Sequence, residues 1–344
     1  MNWKEPSDHN NMETLPELYE IIAFFPIRDF MKIRLISSTF REWSKSYDRI
    51  ICTNVPKHSR WKQLFPKAQL IQTSILVQEE QFIHYIKLRK LNLDGPILQE
   101  NAFYQLPHLK ILEVWSHRRI QITTPMFSHL SQLHTLKMFS NHDLTDEALS
   151  YLPRLKRLLL DHCVQITSKG IQSLKQLVDL HLHTQHDITD EAFEGLPIQE
   201  LYINQNTLVT DRGILSLKYL TKLTTFKTPN IRGVGYKAMP QLTTLYLNAV
   251  YLSDYSDFKH IRFLILNHCT LPGADYEKWT SLRTIQIYNT FIAYPSSVFR
   301  IPLTHLSQIT IEHCPCMVPY EAALRTYFGE KLLCRHLQYL HPMY

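Results

Sequence analysis

The hexamer pattern L-x-x-L-x-L returns along this chain at near-regular intervals. It reads LRKLNL at Leu88, LKILEV at Leu109, LHTLKM at Leu133, LKRLLL at Leu155, LVDLHL at Leu177 and IQELYI at Ile198. It continues as LTTFKT at Leu223, LTTLYL at Leu242, IRFLIL at Ile261, LRTIQI at Leu282 and LSQITI at Leu306. Successive starts lie 21, 24, 22, 22, 21, 25, 19, 19, 21 and 24 residues apart. Within each copy the apolar residues alternate, which predicts a short strand with one face turned to a core. A unit of this length cannot bury an apolar face alone, so the copies must stack on one another.

The spacing resembles the leucine-rich repeats, whose period runs from about 20 to 29 residues. That resemblance implies an α/β solenoid, a horseshoe with a parallel sheet on its concave face. The repeat pattern wants Asn or Cys three residues after the last strand leucine. Asn141, Cys163, Asn206, Cys269 and Cys314 stand there, with His117, Gln185 and Thr290 as other polar choices. Pro96, Ile231 and Val250 break the pattern and predict irregular turns at those copies. Four copies then carry LTDEAL at Leu144, ITSKGI at Ile166, ITDEAF at Ile188 and VTDRGI at Val209. Thr followed by acids and an apolar residue predicts a helix start with a capping side chain.

The stretch LHLHTQHDITDEAF, Leu180 to Phe193, raises the question of a metal site, with His181, His183 and His186 close together. His181 and His183 flank Leu182 on a predicted strand, so both point away from the core, and no acid or thiol is placed by sequence to complete a tetrahedral set. They are read as surface residues of the scaffold. Cys314 and Cys316 in EHCPC lack the two-residue gap of zinc knuckles and are read as structural. Cys163, Cys269 and Cys314 are expected to be buried, reduced and metal-free. No metal, cofactor or catalytic group is expected: GxGxxG, GxxxxGK[ST] and GxSxG are all absent.

Composition bounds the rest. Apolar content of 44% and charged content of 20% fit a folded chain. Six scattered cysteines argue for reduced thiols, and the polar start MNWKEPSDHNNMETLPELYE is not a secretory signal, so a cytoplasmic or nuclear location is expected. A net charge of +6 over 344 residues permits an acidic partner but lacks the density of a nucleic-acid binder, and no membrane association is expected.

Ahead of the repeats lies LPELYEIIAFFPIRDFMKIRLISSTFREW, Leu15 to Trp43. Pro16 suits a helix start, and Leu18, Ile21, Ile22 and Phe25 follow at helical spacing. The residues predict two or three short helices, which could simply cap the solenoid. The segment also resembles an F-box, matched at Leu15, Pro16, Leu18, Phe25, Asp29, Phe30, Arg34, Ile36, Ser37, Phe40 and Trp43. Its first helix is shorter than the family's. An F-box followed by leucine-rich repeats resembles the substrate receptors of SCF-type cullin-RING ubiquitin ligases. That resemblance implies docking on a Skp-type adaptor, and through it a cullin, by Leu15, Pro16, Leu18, Phe25, Asp29 and Phe30. A leucine-rich interaction scaffold with no ubiquitin role stays open as the alternative.

The organisation read from sequence is a flexible start at 1–12, an F-box-like helical module at 13–50 and a linker or cap at 51–87. About eleven repeats occupy 88–316, and a capping helix and tail occupy 317–344. A protein substrate is expected on the concave face. The residue after each middle leucine points outward there, giving Lys137, His181, Tyr202, Lys227 and Tyr246 among others. The candidate substrate-binding set is Trp115, Phe139, His181, His183, Tyr202, Tyr246 and Tyr288, because amphipathic rings on an outward face are common binding anchors.

Overall fold

In the computed structural model, side chains are described for 88–93, 103–104, 106–115, 122–249, 258–271 and 276–333, and backbone alone for 49–52, 70–73 and 334. The F-box-like residues Leu15, Pro16, Leu18, Phe25, Asp29 and Phe30 lie outside the described residues. So do Pro96, His117 and Val250. The chain divides into two compact units, Met1–Ile120 and Gln121–Tyr344.

In the first unit four strands pair in parallel and in chain order: β1 Arg49–Cys52, β2 Leu70–Thr73, β3 Lys90–Leu93 and β4 Ile111–Trp115. The leucine pattern turns Leu88, Leu91, Leu93, Leu109, Leu112 and Val114 into the core. The stretch from Ser44 to Lys87, where the sequence predicts short helices and one irregular strand, contributes two ladder strands, β1 and β2, the first of them straddling the 50/51 boundary. Their sequences, RIIC and LIQT, carry no L-x-x-L-x-L frame and so escape a search for it.

The second unit opens with β5 Thr135–Phe139, β6 Arg157–Asp161, β7 Asp179–His183, β8 Glu200–Asn204, β9 Lys222–Phe226, β10 Thr244–Asn248 and β11 Phe263–Asn267. A short β12 Thr270–Leu271 precedes β13 Thr284–Tyr288, and β14 Phe291–Ile292 precedes β15 Gln308–Glu312 and β16 Leu332–Cys334. All pair in parallel, with β12 and β14 forming their own two-stranded ladder beside the main sheet. The burial pattern is the one alternation requires: in β7, Leu180 and Leu182 are buried while Asp179, His181 and His183 are half-exposed.

One copy is framed differently from the sequence reading. β9 pairs Leu223 with Leu245 and Thr225 with Leu247, so the repeat starts at Leu220 and its frame is LTKLTT. The neighbouring intervals become 22 and 22 in place of 25 and 19. Thr225 occupies a leucine site and is fully buried, as is Thr228 at the Asn/Cys site. The expectation that Ile231 breaks that site is therefore corrected: Thr228 fills it, and Ile231 is an ordinary core residue. Threonine is close in volume to valine, which let it pass into the core while hiding the frame.

Each five-residue strand of the second unit is followed by a residue with positive φ: Ser140, His162, Thr184, Gln205, Lys227, Ala249, His268, Asn289 and His313. None is glycine, so each conformation costs on the order of 1 kcal/mol. The turn is held by the next copy, since the N–H of Ser140 donates to Asp161 O at 2.7 Å and that of Gln205 to Phe226 O at 2.9 Å. The Asn/Cys position then closes the turn from inside. Asn206 Nδ2 donates to Gln185 O and Ile188 O at 2.8 and 2.9 Å, while its Oδ1 accepts from Leu208 N and Val209 N. Cys163, Cys269 and Cys314 are buried thiols at the same place, and Cys163 Sγ donates weakly to Asp161 O at 3.6 Å. Burial pushes the Cys163 thiol up to about 11. At neutral pH it is almost wholly protonated, so an alkylating probe should label Cys163 only after denaturation. Labelling of the native chain at that site would contradict the packing.

The TDEA phrases build the next layer. Helical turns follow at α1 Asp146–Ser150, α2 Ser168–Gln172, a 3-10 turn at Asp190–Phe193 and α3 Asp211–Ser216. Capping by the threonine holds for Thr167 and Thr210, which accept from Lys169 N and Arg212 N. It does not hold for Thr145 and Thr189, whose hydroxyls turn to Thr124 and Glu191. The larger role falls to the residue after the threonine. Asp146 accepts from Thr167 N and Thr167 Oγ1 at 2.8 and 2.6 Å, and Asp190 does the same for Thr210 at 2.8 and 2.7 Å.

These carboxylates demand glycine in the copy they reach. A Cβ on Gly170 would sit 2.8 Å from Asp146 Cγ and 3.2 Å from its Cα, and one on Gly213 would sit 3.0 Å from Asp190 Cα. Where the reaching residue is Ser168, the next copy carries Ala192 instead. Gly170→Ala should therefore destabilise the unit by about 1–3 kcal/mol through overpacking. Adding Asp146→Ser should recover most of the loss in thermal melting. A double variant no more stable than the single one would show that the contact is not the cause.

Past α3 the copies hold 3-10 turns in place of α-helical ones, and buried rings fill the layer around the first two of them. Tyr236, Phe258 and Trp279 follow one another at centroid separations of 6.3 Å, with Tyr276 4.7 Å from Trp279. Near the end of the unit, α4 Glu321–Phe328 buries Leu324 and Phe328 and is followed by β16.

Candidate interaction face

With the leucines turned inward, the first, third and fifth residues of each five-residue strand form three columns on the open face of the sheet. In β7 and β8 the register sets His181 beside Tyr202 and His183 beside Asn204. The rings close into a stack: Tyr202 lies 5.5 Å from His181 and 4.5 Å from His183, with planes within 19° and 16°. Stacking of this kind is worth about 0.5–1.5 kcal/mol per pair beyond area burial. It fixes the plane of Tyr202 without ligand. His181 Nε2 is 3.0 Å from Asp179 Oδ1, and Arg157 Nε stands 3.8 Å from Asp179 Oδ2.

The electrostatics follow from this packing. Burial works to raise the Asp179 carboxyl, but the hydrogen bond and charge of His181, with Arg157 and Lys222, outweigh it and hold the group below its ordinary value. Burial lowers His183, against the pull of Asp161. Burial raises Tyr202, with Tyr246 and Asp161 adding to it. At neutral pH, His183 and Tyr202 are thus neutral ring donors or acceptors, suited to polar contact with little cost of desolvating charge.

Tyr246 stands two strands from Tyr202, with Thr224 between them in register. The two tyrosines flank a small floor about 10 Å across. Phe139 and Tyr288 occupy the fifth column of β5 and β13, half-buried, each near one end of the second unit's sheet. Trp115, 41% exposed, ends β4 in the first unit. The second unit thus groups His181, His183 and Tyr202 and sets Tyr246 across Thr224, while Phe139 and Tyr288 stand apart along the column.

Lys227 is a correction. The shifted frame puts it in the positive-φ turn after β9, and Thr224 takes the middle column. The same shift brings in Phe226, in the fifth column beside Asn204 and Asn248, with Lys227 Nζ 5.6 Å from its ring centroid. Phe263, 45% exposed at the start of β11, was also missed, because only the later positions of each strand were read. Among the described residues no three of His, Cys, Asp or Glu stand together as a metal site, and His186 is exposed in its turn.

Solved structures with this architecture are leucine-rich-repeat proteins. An internalin of Listeria monocytogenes superposes with a TM-score of 0.59 at 17% identity, covering 81% of this chain and 93% of that one. A leucine-rich-repeat protein of Leptospira interrogans gives 0.59 at 19% identity, covering 80% and 76%. The Toll–Spatzle complex of Drosophila gives 0.54 at 12% identity, covering 85% and 51%. No family profile and no curated protein sequence matches the chain. The fold is a leucine-rich-repeat solenoid. Among the described residues no helix is long and apolar enough to cross a membrane.

Proposed function

We propose that this chain is the substrate-recognition subunit of an SCF-type ubiquitin ligase. Residues 13–50 dock on a Skp-type adaptor, which joins them to a cullin, and the open face of the repeat sheet holds a protein substrate. The observation that carries the receptor half is the ring cluster of His181, His183 and Tyr202 with Tyr246 across Thr224. Rings pre-stacked and half-buried lose little conformational freedom on binding, which favours them as anchors. The ubiquitin half is supported by the Leu-Pro, Asp-Phe and Phe-x-x-Trp residues of the N-terminal segment. Such a receptor performs no chemistry of its own. It raises the effective concentration of substrate at the ubiquitin-carrying enzyme held in the same complex.

The deciding experiment is co-purification of the full chain with a Skp-type adaptor and its cullin. Retention of both supports the receptor. Retention of neither, with the repeats folded, leaves an interaction scaffold.

A further inference from the structure

The two edges of the second unit's sheet carry opposite charge. The turns that feed the strands, residues 130–135, 152–157, 174–179, 195–200, 217–222, 239–244, 258–263, 279–284 and 303–308, hold nine Lys and Arg against two carboxylates, a net of +7. The turns leaving β5 to β8, residues 139–147, 161–169, 183–191 and 204–212, hold eight carboxylates against two cations, a net of −6, while the turn leaving β9 adds Lys227 and Arg232. Overall net charge hides this division, because the edges offset one another.

The basic edge is grouped rather than uniform. Arg154, Lys156 and Arg157 stand exposed at β6. Lys218 and Lys222 stand exposed at β9, and Lys259 and Arg262 at β11. Between the first two groups come Asp179 on β7 and Glu200 on β8. Their ion pairs with Arg157 at 3.8 Å and Lys222 at 3.2 Å are partly exposed and can exchange for an incoming carboxylate at little cost. Exposed apolar rings, Tyr219 and Phe263, adjoin the second and third groups.

We infer that this edge is a docking surface for an extended acidic polypeptide segment, adjoining the ring cluster of the open face through Asp179. Parallel strands about 4.8 Å apart put the second group about 14 Å from the first and the third about 10 Å further on. An extended peptide advances about 3.3 Å per residue and turns alternate side chains to one side, so carboxylates at its first, fifth and ninth positions come within side-chain reach of the three groups in turn. A nucleic-acid strand fits less well. It carries one phosphate for about every 3.4 Å of duplex rise and would lay charge against Asp179 and Glu200. A peptide can place neutral residues there.

The test uses the full chain and a fluorescent decapeptide of serine and glycine with Glu at positions one, five and nine, read by anisotropy. Binding is expected to weaken on the order of tenfold in Lys218→Glu, Lys222→Glu and again in Lys259→Glu, Arg262→Glu. It should weaken as salt rises from about 50 to about 300 mM. Lys169→Glu, on the exposed side of α2, should leave it unchanged, and a peptide with its three Glu contiguous should bind less well. Melting of each variant confirms folding. The inference fails if the spaced peptide does not bind, if the edge reversals bind it like the parent, or if Lys169→Glu weakens it equally. It fails also if a ten-nucleotide single strand binds more tightly and is lost on the same reversals, which would assign the edge to nucleic acid.

Discussion

Replacing His181, Tyr202 and Tyr246 together with alanine is expected to abolish partner capture while adaptor binding survives. Anchor residues of this type cost about 2 kcal/mol or more each when truncated, so three amount to several orders of magnitude in affinity. Part of any loss could come from the scaffold, since Tyr202 packs against both histidines of β7. Tyr202→Phe separates the two: it keeps the stack and removes only the hydroxyl. If the triple variant melts near the parent and Tyr202→Phe retains most binding, the ring face is the anchor. Partners that survive the triple change, and are lost instead on altering the exposed residues of α1 to α3 or the C-terminal tail, would place recognition elsewhere.

The repeat was legible because alternation and period depend only on leucine burial, and both survive drift in the other positions. That is why the strands from Leu133 to Leu201 follow their hexamers residue for residue. The failures have physical causes. β1 and β2 pair through backbone groups, which carry no sequence code, so RIIC and LIQT both join the ladder where the residues point to one irregular strand. At β9, two threonines take the leucine and Asn/Cys sites, and Leu223 with Phe226 mimics a frame three residues further on. The false frame puts Lys227 on the face and takes Phe226 off it.

The lateral rule between copies was present in the sequence but invisible to periodicity. Asp at one copy goes with Gly two positions further on in the next, as in Asp146 with Gly170 and Asp190 with Gly213. Ser goes with Ala, as in Ser168 with Ala192. A search for period sees Ala and Gly only as small residues. The contact becomes readable once carboxylate reach and the missing Cβ are set against each other. The ring stack was half legible: strand alternation placed His181, His183 and Tyr202 on one face. Their closure into a stack followed from register, which the strands alone did not specify.

The remaining large effect concerns the N-terminal segment. A Leu15→Ala, Pro16→Ala variant of the full chain is expected to lose adaptor binding while the repeats melt as in the parent. If Leu15 is buried on docking, its loss alone removes about 1.5–3 kcal/mol, roughly ten- to a hundredfold in affinity. Pro16→Ala adds to this by freeing the backbone that presents Leu15, since proline fixes φ at the first helical position. Asp29→Ala with Phe30→Ala forms an independent second variant, expected to fall in the same way because both residues belong to the same match. A repeat region that melts normally in both variants excludes general unfolding as the cause. Adaptor affinity equal to the parent in both would remove the F-box reading, and the ring face would then belong to a scaffold that recruits partners without ubiquitin.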